Sequence, residues 1–381
     1  MDLDFSAEQS LLRDTVREIC AGGSPLTRVR ELERDERGYA QPFWQALAEA
    51  GCLGLNIPEA YGGVGMGALD AVVAYEEFGR ALAPSPHFES ALLAAGLLLA
   101  AGSDAQRPAW LPGIADGSQV VIPCWQETSA SPEPAAMRCR VGGHGETLKL
   151  DGEKILVPFA GSAGRLLVLA RHPTLAQRCL LALVPASAAG VTLTPQPNHA
   201  DAPLFAVRFA AVVVRREDCL GWDEGVDAVW RAVFLRNLVP LAAQAVGGAE
   251  RMLAMTTEYA SVRKQFDRPL GGFQAIAHYL ADRATELEGA KTLVYQAAWA
   301  IDAGEPFERL ALMAKLKACA TFRKMTAVGT QIHGGIGFTS EADPQLFFRR
   351  AKHQQLMYGD PTWLEEGIAA RVFDGDYPSM D

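Results

Sequence analysis

The 381-residue sequence predicts an α+β fold in three parts: an N-terminal α-helical domain, a middle β domain built as a barrel or sandwich, and a C-terminal four-helix bundle. Three observations predict it. Apolar residues recur at helical spacing from Ser6 to about Gly117. Short aliphatic runs broken by Gly, Pro, Asp and Asn fill the stretch from Gln119 to about Cys219. From Val226 onward, long alanine-rich segments return to the 3.6-residue period. These changes of texture divide the chain at 1–117, 118–222 and 223–381.

The elements follow in order. Ser6 and Gln9 have capping-box spacing, and Leu12, Val16 and Ile19 lie on one face of the helix they open. The turn-rich segment Ile57-Pro58-Glu59-Ala60-Tyr61-Gly62-Gly63 precedes a helix over Ala68 to Leu82, closed by Pro84 and Pro86. Strands are predicted at Thr147–Leu150, Arg165–Ala170, Cys179–Val184 and Phe205–Val214. Four bundle helices are predicted at Val226–Val262, Phe273–Ala303, Pro306–Gln331 and Asp343–Arg371.

Composition narrows the function classes. Hydrophobic residues at 49% and charged residues at 21% are ordinary for a soluble globular chain. A net charge of -10 with no Lys/Arg run argues against a nucleic-acid surface. The apolar stretch Ala91–Ala101 is too short to span a bilayer, and the acidic, amphipathic N-terminus is not a signal peptide, so no membrane association is expected. Seven scattered cysteines, never spaced CxxC, predict reduced thiols in a cytoplasmic protein rather than disulfides or a zinc site. No HExxH or ExxH occurs, which disfavours a di-iron bundle, and no metal is expected. His333 and His353 are each read as packing or capping residues before acid/base catalysts.

One segment concentrates chemistry: Arg263-Lys-Gln265-Phe266-Asp-Arg-Pro269-Leu270-Gly-Gly-Phe273, with Tyr259 before it and His278 after. The pyrophosphate of a dinucleotide needs cations and amides; Arg263 offers a guanidinium fork and Gln265 an amide. Its adenine needs walls, which Phe266, Leu270 and Phe273 offer. A second segment, Gln331-Ile332-His333-Gly334-Gly335-Ile336-Gly337, places Gln331, Gly334 and Gly335 on one helical face at i, i+3 and i+4, where glycine permits close approach. Singly, each of these residues reads as helix-end charge, core or helix stop.

Together with Gly54–Gly63 and Glu76-Glu77-Phe78-Gly79-Arg80, these segments make the sequence resemble the FAD-dependent acyl-CoA dehydrogenase superfamily over nearly its whole length. The resemblance implies that Arg263, Gln265, Phe266, Leu270, Phe273, Gln331, Gly334 and Gly335 hold the ADP half of an FAD bound mainly by a neighbouring subunit. It also implies an acyl-CoA substrate and an electron-transfer flavoprotein as acceptor.

The sequence departs from the family at the chemistry. Where the family often reads Tyr-Glu-Gly-Thr, this chain reads Tyr358-Gly359-Asp360-Pro361, and glycine cannot take a proton. The alternative base location, Phe234 to Pro240, has no carboxylate. Leu156 stands where a flavin-facing tryptophan is expected. Pro158, where a hydroxyl residue is expected, has no donor for the ring. Trp125-Gln126-Glu127-Thr128 lacks the family's order.

The first expectation is therefore the base-less subunit of an α2β2 acyl-CoA dehydrogenase, acting with an unlike partner on an acyl-CoA, a steroid-derived acyl group being one candidate. Three other readings stay open: a self-sufficient homo-oligomer using Asp360 as a displaced base, a structural subunit without FAD, and a flavin monooxygenase on the same fold. Glu365 and Glu366 are read as surface charge.

Overall fold

A computed structural model describes residues 5–143 and 147–373. Residues 1–4 and 374–381, the outer ends of the first and third expected domains, lie outside the described residues. In chain order the helices are α1 (Ala7–Gly23), α2 (Leu26–Leu32), α3 (Gln41–Glu49), α4 (Ala68–Ala81), α5 (Ala95–Ala101) and α6 (Gln106–Ala115). The strands β1 (Val121–Cys124), β2 (Arg140–Gly142), β3 (Thr147–Pro158), β4 (Arg165–Arg171), β5 (Cys179–Pro185), β6 (Val191–Pro195), β7 (Leu204–Arg215) and β8 (Cys219–Leu220) follow. Then come α7 (Asp227–Val262), the short strands β9 (Lys264–Gln265) and β10 (Arg268–Pro269), α8 (Gln274–Asp302), α9 (Glu308–His333), α10 (Pro344–Leu356) and α11 (Pro361–Phe373).

The chain forms two compact units. One comprises the residues up to Leu26, Ala68–Ala83 and everything from Leu238 onward; the other comprises Thr27–Gly67 and Pro84–Asn237. In the first, α1 opens with the expected capping box: Gln9 N–H donates to Ser6 Oγ and Ser6 N–H to Gln9 Oε1, both at 3.1 Å. Three buried or half-buried carboxylates between helices are hydrogen-bonded to side chains. Arg17 of α1 forks onto Glu77 of α4 at 2.7 and 3.0 Å. Glu250 of α7 accepts from Arg80 at 2.8 Å and Lys291 at 2.6 Å, and Tyr295 Oη donates to Glu76 at 2.8 Å. Pairing is what makes such burial tolerable.

Within the second unit a single mixed sheet runs β6-β7-β3-β2-β4-β5-β8, with β1 parallel to β4 at the side. Its path is open, so no closed barrel forms among the described residues. Lys154, fully buried in β3, donates to Glu127 at 2.7 Å and to Trp125 O at 3.2 Å, while Glu127 also accepts the N–H groups of Arg138 and Cys139. This one buried pair fixes the loop between β1 and β2 to the strand that follows.

One further sequence expectation needs correction. The last bundle helix, read as continuous over Asp343–Arg371, is broken between α10 and α11, where Tyr358 and Gly359 have φ of 58° and 96°. Apolar residues at helical period run through the break, but Pro361 cannot donate an N–H to continue the ladder. The stretch 88–94 is π-helical before α5, a local change of winding that periodicity alone does not mark. α7 is long and apolar enough to cross a membrane by length and composition, yet 78% of its apolar window is buried within the protein, as in a core helix.

Candidate functional site

The segment after α7 folds as a hairpin. Gln265 pairs with Arg268, and Lys264 with Pro269, across a two-residue turn of Phe266 and Asp267. Both turn residues have positive φ, 52° and 65°, as such a turn requires, although neither is glycine. Phe266 stands 87% exposed at the tip. A positive φ and near-full exposure thus coincide on a large aromatic side chain. Phe273 supports it edge-on at 6.2 Å, and the Arg268 guanidinium lies 3.8 Å above the Phe273 ring. Leu270 N–H closes the hairpin onto Arg263 O at 2.8 Å. The Arg263 side chain is exposed and forms no ion pair among the described residues. Gln265 spends one amide hydrogen on Lys264 O at 2.9 Å.

The second segment differs from the expected helical face. α9 stops at His333, and Gly334 leaves it with φ 66°, ψ -145°, a conformation essentially confined to glycine. Gln331 is therefore in the last helical turn, while Gly334 and Gly335 lie beyond it in a short 3-10 turn ending at Phe338. A Cβ built on Gly334 or Gly335 meets nothing within 4 Å of this chain. Around them Ile336 and Phe338 are exposed at 55% and 72%.

Tyr259 joins the two segments. Its ring stacks on His333 at 4.3 Å, and Tyr259 stands one turn before Arg263. The hairpin and the glycine turn thus leave the bundle at the same end. His333 is buried, with Nδ1 donating to Gly329 O at 2.8 Å, which makes it a packing residue. An exposed guanidinium, amides and apolar walls at one helical end form a donor set that fits the pyrophosphate and adenine of FAD.

The position where the sequence comparison expects a base lies elsewhere. Lys315, buried in α9, donates to the carbonyls of Gln354 and Met357 (3.2 Å to the latter) and so holds the α10–α11 junction. Along α9 that lysine is separated from His333 by roughly 27 Å, at about 1.5 Å of rise per residue. At that junction Gly359 is buried, and a Cβ on it would sit 2.6 Å from Cε3 and 2.9 Å from Cζ3 of Trp363. The position is filled by indole as well as lacking a carboxylate. Asp360 is exposed and caps α11, its Oδ1 accepting Trp363 N–H at 2.9 Å. Asn237, at the alternative base location, donates to Val233 O. Leu156 has φ 52° beside a bulge in β3, and its N–H goes to Gln196 Oε1 at 2.7 Å. Among the described residues, no three His, Cys, Asp or Glu side chains gather as a metal site.

Sequence reasoning passed over Tyr259, Arg268 and Trp363. Arg268 could have been found, since it lies in the quoted segment; the positions of Tyr259 and Trp363 are long-range or turn-dependent facts.

Helices before and after a mixed sheet, with an exposed guanidinium, amide and aromatic side chains at one helix end, give the chain a donor set suited to a dinucleotide. Comparisons with known proteins carry this to a family. The model described as "Acyl-CoA dehydrogenase, N-terminal domain" matches residues 6–118, and "Acyl-CoA dehydrogenase, C-terminal domain" matches 223–373. Acyl-CoA dehydrogenase IpdE2 of Mycobacterium tuberculosis is 30% identical over 368 residues, 96% of this chain and 98% of that protein. A solved steroid ACAD, a variant of Tcur3481-Tcur3483, superposes with TM-score 0.87 at 30% identity, covering 97% and 98% of the two chains. The ChsE4-ChsE5 complex from Mycobacterium tuberculosis gives TM-score 0.89 at 26% identity, with 100% of each chain covered. The chain belongs to the acyl-CoA dehydrogenase family, FAD flavoproteins that oxidise the CH–CH bond of acyl-CoA thioesters.

Proposed function

We propose that this chain is the base-less subunit of a heteromeric, α2β2 acyl-CoA dehydrogenase. It supplies the ADP-side wall of an FAD shared with an unlike subunit that carries the catalytic carboxylate. One observation carries the reading: the family's base position is Gly359 with the Trp363 ring 2.6 Å from where its Cβ would be, while the Arg263 hairpin and the Gly334-Gly335 turn are intact and face outward.

The residues divide the work accordingly. Arg263 neutralises phosphate charge, Phe266 and Phe273 wall the adenine, and the open glycines let a neighbouring molecule approach the backbone. Bound FAD would supply the acceptor for the β-carbon hydride, the α-proton going to the partner subunit's carboxylate. Asp360 is a poor alternative base because its carboxylate is committed to the α11 cap. The likeness to a steroid ACAD and to a complex of two named chains favours a steroid-derived acyl-CoA and an unlike partner. An electron-transfer flavoprotein is the proposed acceptor.

The test is to purify the chain alone and coexpressed with an unlike acyl-CoA dehydrogenase chain that has Glu at the base position. Visible flavin absorption and acyl-CoA desaturation should appear only in the coexpressed complex, and Arg263→Ala should deplete its flavin without unfolding it. Turnover by the isolated, flavin-loaded chain would establish the self-sufficient reading instead. Flavin in neither preparation would establish the structural subunit, and oxygen-dependent hydroxylation the monooxygenase.

A further inference from the structure

Strands β2 and β3 turn alternate residues to opposite faces of the sheet. Cys139, Val141, Leu148 and Leu150 are buried on one face. Toward the other, Arg138, Arg140, Lys149, Asp151 and, from the end of β4, Arg171 line a hollow of about 780 Å³. The register sets their arrangement. Arg140 lies opposite Asp151 on one side and opposite Arg171 on the other, and Lys149 lies opposite Gly142.

Among the described residues, four cations thus share the hollow with one carboxylate, in a chain whose net charge is -10. Arg171 is oriented by donating to Met137 O and Ala135 O, each at 2.7 Å. Asp151 Oδ1 accepts the Ala211 N–H at 2.8 Å. The side chains of Arg138, Arg140 and Lys149 form no ion pair among the described residues. Like charges directly opposite one another across strands are destabilising, and unpaired cations around a concavity raise its potential further. A local conflict of this kind is expected where a ligand offsets it.

We propose that this hollow binds a phosphate-bearing anion, using residues separate from the Arg263 hairpin. Guanidinium forks match the paired oxygens of a phosphate, and the volume is that of a small-molecule site. The backbone-held Arg171 gives the site one fixed donor, while Arg138, Arg140 and Lys149 close around the charge.

Titration calorimetry of the purified protein with inorganic pyrophosphate and, in parallel, with ADP tests this. Saturable binding that weakens with added salt is expected. The double variant Arg140→Ser/Lys149→Ser should bind at least about tenfold more weakly, with a melting temperature unchanged or raised by relief of charge crowding. In the Arg263→Ala background, where the hairpin's own phosphate contact is gone, saturable binding should persist and should weaken by the same factor when Arg140→Ser/Lys149→Ser is added. Equal binding of both probes means the site reads phosphate groups alone; tighter binding of ADP means the nucleoside adds contacts, and either supports the proposal. No saturable binding of either probe, binding that is lost with Arg263→Ala, or binding that the Arg140→Ser/Lys149→Ser substitutions leave unchanged in the Arg263→Ala background overturns it.

Discussion

The rings of Tyr259 and His333 lie 4.3 Å apart at an interplanar angle of 23°, and this contact ties the end of α7 to the end of α9. A stacked pair of this kind contributes about 1 kcal/mol beyond its buried area. Its larger effect is geometric, since both segments proposed to face the nucleotide begin within a turn of it. Tyr259→Ala should lower the flavin content of the assembled enzyme while leaving far-UV circular dichroism unchanged; Tyr259→Phe should retain both. Full flavin occupancy in the alanine variant would falsify the coupling.

The Gly359–Trp363 contact makes the missing base a matter of packing as well as of residue type. Gly359→Glu should destabilise the protein by roughly 2–3 kcal/mol, from overpacking and a positive φ, and confer no desaturase activity on the isolated chain. Adding Trp363→Ala opens the space, so the double variant should be more stable than the sum of the singles by about 1 kcal/mol or more. Chemical denaturation of the four proteins measures this coupling, and strict additivity would show that the indole is not the obstacle.

Asp360 separates the two catalytic readings. As a helix cap it is replaceable by Asn, which accepts the same N–H; Ala loses the bond and about 1 kcal/mol. Asp360→Asn should therefore leave both stability and desaturation by the complex intact, with Asp360→Ala lowering only the melting temperature. A large fall in kcat for the Asn variant would identify Asp360 as the base.

The sequence made the order of elements legible because most of it is local. The Ser6–Gln9 box is present as read, and the strands expected at Arg165–Ala170 and Cys179–Val184 are β4 and β5 to within a residue. Three things were not legible. Tyr358, Phe266 and Leu156 adopt positive φ, a cost that only tertiary contacts impose. The α10–α11 break lies inside a continuing apolar period, and only Gly359-Asp360-Pro361 signals the turn. And the contact of Trp363 with the Gly359 backbone depends on that break, so the residue types showed a missing carboxylate but not a filled position. The glycine turn differs from its expected shape for the opposite reason: the helical spacing continues through Gly334, but its φ of 66° carries the chain out of the helix.

The buried carboxylate Glu76 gives the bundle a pH dependence with a definite sign. Burial lifts it from 4.5 to about 7; Lys291 and the Tyr295 hydroxyl oppose the shift, while Glu250 and Glu77 add to it. The native state therefore holds this proton more tightly than the unfolded chain. Its contribution is fully present below about pH 4.5 and is lost as pH rises through 7, a difference of roughly 3 kcal/mol for a shift of this size. In the other unit His87, donating to Cys52 O, is pushed by burial down to about 4, so its contribution is present above pH 6.5 and lost as pH falls toward 4. Glu76→Gln keeps an acceptor for Tyr295 and removes the titration. Its stability relative to wild type should rise between about pH 5 and 8, whereas the acid-side loss from His87 should persist in both proteins. Thermal melts across that range decide the matter, and a variant whose stability parallels wild type at every pH would mean that Glu76 stays ionised in the fold.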